Sequence, residues 1–186
     1  MSLPHGFKAN AERESLRLRS ELGLARTDAL DLTRLAEHLE VEIVSAGELI
    51  DVTRLEELER IQAYSFSAAT FKVADRTFVV TSPLRTAARQ ASDIAHELSH
   101  GLLGHELSEI REIGGVPFRT CRPDEEEQAT AFGGALLLPR QLLVAAAKQG
   151  LGPAQIAEKY NVTVEMARFR YNSTGVKNQV PQAVTR

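Results

Sequence analysis

The chain has 186 residues, 43% hydrophobic and 25% charged, which is ordinary globular usage; it excludes intrinsic disorder and suits a single domain. Lys plus Arg number 22 against 25 for Asp plus Glu, and the net charge of -3 excludes a whole-surface electrostatic grip on nucleic acid or an anionic membrane. A single cysteine excludes an internal disulfide and any Cys-rich zinc module, while 5% aromatics without tryptophan weigh against stacking platforms for sugars or bases.

Residues 1–10 carry Pro4 and Gly6 without periodicity and are expected to form a loose leader with no signal-peptide apolar segment. Charges and leucines at helical spacing predict a helix over 11–22, stopped by Gly23. Leu32, Leu35, Ala36 and Leu39 follow the i, i+3, i+4, i+7 pattern of a second helix. The β-branched run 41–44 predicts a strand, and 52–60 a short surface helix. Short apolar runs over 61–81, broken by Ala74-Asp75-Arg76, predict a hairpin or meander. Ser82-Pro83 reads as a helix start, with Ala87, Ala91, Ile94, Leu98 and Leu102 turned inward. Gly114, Gly115 and Pro117 predict a loop over 112–122. A helix from Pro123, with carboxylates in its first turn, is expected to end near Pro139. Residues 152–175 predict two short helices joined at Asn161. No apolar run approaches the roughly 20 residues of a membrane span, so the expected compartment is the cytoplasm.

Residues 96–100 read His-Glu-Leu-Ser-His on a predicted helix. Side chains four apart are separated by only about 40° around a helix, so both imidazoles face one metal ion. Glu97, beside the first ligand, is placed to take a proton from an attacking water. A catalytic zinc usually has three protein ligands, and the acidic run 124–127 is the natural source of the third. Ala129, Phe132 and Leu136 define the buried stripe of that helix; Glu125 and Glu126 both lie near its edge, and spacing does not separate them. His105, nine residues after His96, suits a surface place or a place behind the ligands. His38 reads as solvated, His5 as part of the leader and Cys121 as a lone thiol.

The run from Ala87-Ala88-Arg89-Gln90 into Ile94-Ala95-His96-Glu97-Leu98-Ser99-His100-Gly101-Leu102-Leu103-Gly104-His105 resembles the zinc helix of the ImmA/IrrE-type metallopeptidases. Glu126 to Phe132, followed by Leu136-Leu137-Leu138-Pro139, resembles their second signature helix. The resemblance implies an α+β fold: a mainly helical zincin-like metallopeptidase core with a small β-sheet and a C-terminal helix-turn-helix-like cap. It implies that the third ligand is the Glu six residues before Phe132, which is Glu126. It also implies a zinc endopeptidase, with manganese or iron as other ions such a site accepts, and a helix-turn-helix repressor or an antitoxin as protein substrate. Two departures stand out: Thr130 where the family has Asn or Asp, and Phe132-Gly133-Gly134 where it has Phe-Ala-Ala.

The expected division is a leader over 1–10, a metallopeptidase body over 11–145, a helix-turn-helix-like segment over 146–175 and a flexible tail over 176–186. From Ala146 onward six basic residues face Glu158 and Glu165, giving +4 against -7 for the remainder. A DNA-reading module, or a regulator in which the metal site is structural or sensory, is therefore the rival reading. Its apolar positions Ile156, Ala157, Tyr160, Val162, Ala167 and Phe169 favour a packed cap, and four net charges promise little counterion release, so direct DNA binding is not expected. Tyr64, Arg170 and Tyr171 are the candidates for stabilising an oxyanion.

Overall fold

A computed structural model describes residues 3–105, 110–113, 116–119 and 122–179, with side chains left out of the description over 110–121 and at residue 178. In chain order the elements are α1 (Phe7–Glu21), α2 (Leu32–His38), β1 (Val41–Ser45), α3 (Val52–Ile61), β2 (Ala68–Val73), β3 (Arg76–Thr81), α4 (Ala87–Leu103), β4 (Ile110–Ile113), β5 (Val116–Arg119), α5 (Pro123–Leu137), α6 (Arg140–Lys148), α7 (Pro153–Tyr160) and α8 (Val164–Ser173). The fold is α+β and mainly helical; among the described residues it holds a three-stranded sheet of order β1-β3-β2 and an antiparallel β4-β5 pair. β1 runs parallel to β3, and β2 antiparallel to it.

Local chemistry accounts for most boundaries. Asp31 and Asp51 cap α2 and α3 by accepting from Thr33 N and Thr53 N, and Thr163 caps α8 through Met166 N. Pro123 and Pro153 occupy the first turns of α5 and α7. Asn161 closes α7 in the left-handed region, at φ 49°.

Several boundaries differ from expectation. α1 begins at Phe7, inside the predicted leader, because Phe7 N bonds Pro4 O and turns the chain into the helix. Ser82-Pro83 forms a turn, and Thr86 caps α4 instead. Ser82 N is already bonded to Ser67 O at the end of the sheet, while its hydroxyl accepts from Leu84 N. Ala87 is accordingly exposed, and Ala95 is the deeply buried alanine of α4. The predicted loop over 112–122 contains β5 and the end of β4, paired Ile110↔Arg119 to Ile113↔Val116; Cys121 lies outside the described residues.

α6 was not anticipated as a separate helix, and it spans the expected division at 145/146. Leu142, Leu143, Ala146 and Ala147 on it join Ala95, Leu137, Ile156, Ala167 and Val176 in one buried cluster. The C-terminal helices therefore share the core of the body. The packed chain also extends past 175, where Val176 is fully buried in a short 3-10 turn.

A second cluster places the site. Val79 of β3, Leu98 of α4, Phe132 and Leu136 of α5, Leu18 of α1 and Leu35 of α2 pack together and press α4 between the sheet and α5. The other sheet face, with Val80 and Phe78, packs on Leu55 of α3. No single helix among the described residues is long and apolar enough to cross a membrane.

The C-terminal end of α5 is held by side chains from both ends of the chain. Ser15 Oγ donates to Ala135 O at 2.8 Å, Arg19 Nη2 to Leu137 O at 3.3 Å and Arg170 Nε to Leu138 O at 3.1 Å. These carbonyls lack helical partners, and two guanidinium groups oppose the negative end of the helix dipole. Burial lowers the pKa of Arg19 to about 10, opposed by the charges of Glu12 and Asp28. Arg170 is also ion-paired with Glu12.

Candidate metal centre

α5 approaches α4 closely at Gly133 and α8 closely at Gly134, two consecutive glycines that face opposite neighbours. A Cβ on Gly133 would meet the Ala95 carbonyl and His96 N at 3.2 Å; one on Gly134 would meet Arg170 Cδ at 2.8 Å and Met166 Sδ at 3.2 Å. The departure from Phe-Ala-Ala is thus a close approach of helices on both sides of α5.

That approach brings three donors together. His96 Nε2 lies 3.1 Å from His100 Nε2 and 3.1 Å from Glu126 Oε2, and His100 Nε2 lies 3.6 Å from Glu126 Oε1. One ligand atom from each residue falls within 4.8 Å of the others. Tetrahedral zinc with bonds of roughly 2.0–2.1 Å has donor–donor edges of about 3.3–3.4 Å. The observed triangle brackets that size, and two imidazole nitrogens facing a carboxylate are the right donors. The residues present fit a small divalent cation. Glu125 is turned elsewhere, its carboxylate 3.0 Å from Arg122.

The surrounding groups orient these donors. Burial lowers the pKa of His100, with the neighbouring His96 acting in the same direction, so the ring favours the neutral form that can bind a metal. Gly104, at φ 69°, ends α4, and the chain doubles back with His105 N bonded to His100 O. His105 Nδ1 then sits 3.0 Å from His100 Nδ1. When His100 offers Nε2 to a cation, its Nδ1 carries the proton and donates it to His105. Thr130 Oγ1 lies 3.4 Å from His96 Nδ1.

Glu97 is 4% exposed, and its Oε2 accepts from Thr70 Oγ1 of β2 at 2.6 Å. Thr70 carried no signal in the sequence, because a contact across 27 positions between a strand and a helix leaves no local pattern. Of the candidates for an oxyanion, Arg170 is buried and committed to Glu12 and Leu138 O. Tyr64 is exposed, with its ring under the Arg85 guanidinium, and Tyr171 packs against the C-terminal core. His38 pairs with Glu21 at 3.3 Å. A cleft of about 410 Å³ opens beside His96, walled by Arg89, Asp93, Thr130, Met166 and Phe169. A further one of about 620 Å³ borders Glu126 and shares Thr130 and Phe169.

A mainly helical α+β domain with a His-Glu-x-x-His helix and a converging glutamate defines a metallopeptidase-type domain. The family described as the IrrE N-terminal-like domain, Peptidase_M78, matches residues 53–172, from α3 through α8, and the chain belongs to it. No curated protein matches the chain. α1 lies before the matched segment, yet it supplies Ser15, Arg19 and the Glu12 partner of Arg170.

Proposed function

We propose that the protein is a zinc-dependent endopeptidase of the cytoplasm that cleaves a partner helix-turn-helix transcriptional repressor or antitoxin, releasing stress-response or mobile-element genes. The observation that carries the chemistry is the convergence of His96, His100 and Glu126 beside Glu97. The protein substrate rests on the resemblance to ImmA/IrrE-type enzymes. His96, His100 and Glu126 would hold the ion, with manganese or iron as alternatives set by availability. When bound, zinc supplies Lewis acidity, lowering the pKa of water and polarising a carbonyl.

Glu97 takes the proton of the water that attacks the scissile carbonyl and returns it to the leaving amine. Its burial and its hydrogen bond to Thr70 hold the carboxylate at the edge of the site. The two clefts that meet at Thr130 and Phe169 offer room for side chains on either side of a bound peptide.

The test is co-expression with the repressor encoded nearest to the gene, with metal content measured alongside. Cleavage by the wild type, and its loss in Glu97→Gln with metal retained, supports the reading. Metal bound with no cleavage refutes it and favours a regulator whose metal site is structural or sensory. Cleavage that survives Glu97→Gln refutes the assignment of the base.

A further inference from the structure

We infer that Thr70 is a positioning residue for the Glu97 carboxylate, an inference that rests on the peptidase reading. β2 and β3 pair in register with Thr70 opposite Val79 and Phe71 opposite Phe78. Alternate side chains leave a sheet on opposite faces. Val79 packs with Leu98 of α4, whereas Phe78 packs with Leu55 of α3. Thr70 therefore stands on the face turned to α4, and its hydroxyl meets Glu97 Oε2 at 2.6 Å.

An ionised carboxylate only accepts, so the threonine donates. The separation falls in the range of charge-assisted O–H···O⁻ bonds. The terminal torsion of a glutamate is broad and weakly held, whereas a β-branched side chain on a strand is stiff. A hydrogen bond from sheet to helix thus ties one carboxylate oxygen of Glu97 to a stiff side chain of β2. The sheet in this way orients the base, and the turn that ends α4 orients His100 through His105.

The experiment compares Thr70→Val, which keeps shape and strand preference, with Thr70→Ser, which keeps the hydroxyl. In the metal-free protein labelled with 13C-glutamate, the Glu97 side-chain carboxyl signal is identified by its loss in Glu97→Gln. That signal moves in Thr70→Val and holds its wild-type position in Thr70→Ser. In zinc-loaded enzyme acting on the repressor encoded nearest to the gene, Thr70→Val lowers kcat about tenfold, with KM and zinc affinity unchanged. Thr70→Ser recovers most of the loss, and Thr70→Val has no further effect in Glu97→Gln. A carboxyl signal indifferent to Thr70→Val overturns the inference, as does an effect confined to KM or to zinc affinity. Cleavage by the wild type with Thr70→Val equally active overturns the role of Thr70 alone. No cleavage by the wild type overturns the peptidase reading, and the positioning role with it.

Discussion

Gly133→Ala probes the packing that places the three proposed metal ligands. The added Cβ would lie 3.2 Å from the carbonyl carbon and oxygen of Ala95 and from His96 N. Comfortable heavy-atom separation begins at about 3.5 Å, so α4 and α5 must part by at least about 0.3 Å. The neighbour is helix backbone around the fully buried Ala95, which has nowhere to retreat. Helix preference favours alanine by about 1 kcal/mol, while overpacking opposes it by about 1–3 kcal/mol, so the expected net loss is about 1 kcal/mol. The larger effect falls on the metal. His96 rides on α4 and Glu126 on α5, only 3.1 Å apart, and metal–ligand distances tolerate about 0.2 Å. Zinc affinity should drop about tenfold, in line with other changes that misplace ligands. Chelator-competition titration measures the affinity, and thermal unfolding of the metal-free protein measures the stability. A variant that is stabilised and binds zinc as tightly as wild type would refute the close-approach argument.

Gly134→Ala should be more disruptive to the fold, because Arg170 is pinned by both Leu138 O and Glu12 and cannot swing aside. A loss of about 2 kcal/mol is expected in urea unfolding. Zinc at a hundred times its Kd should stabilise the wild type by about 2.7 kcal/mol; melting curves should show that gain kept in Glu125→Ala and lost in Glu126→Ala. Glu59, hydrogen-bonded first of all by Arg85, has its pKa lowered to about 2 from 4.5. A depressed carboxylate stabilises the fold above its unfolded pKa, so that contribution is intact above about pH 4.5. It is lost as pH falls toward 2. Denaturant unfolding followed over that window should show a smaller loss for Glu59→Gln than for wild type, and equal losses would remove Glu59 as a contributor.

The His-Glu-x-x-His helix was legible because its chemistry is local: ligands one turn apart share a face whatever else the chain does. The buried stripe of α5 and the Asn161 turn were legible for the same reason. The start of α4 was not. Ser82-Pro83 has every local mark of a helix start, but Ser82 N is committed to Ser67 O across the sheet. The division at 145/146 was drawn from a change in charge, which says nothing about which apolar side chains share a core, and α6 runs across it. Nor did charge reveal that Arg170, counted as part of a basic segment, is buried beneath α5 with Glu12 as its partner.

Spacing within single elements thus determined the class of chemistry and two of the three donors, and it narrowed the third to Glu125 or Glu126; resemblance to the family pointed to Glu126. Tertiary structure alone placed Glu126 against both imidazoles, brought His105 behind His100 and set Thr70 on Glu97. The reason is geometric. Those contacts join residues on different elements, and the distance between two helices depends on what a glycine omits on one and what a carbonyl occupies on the other.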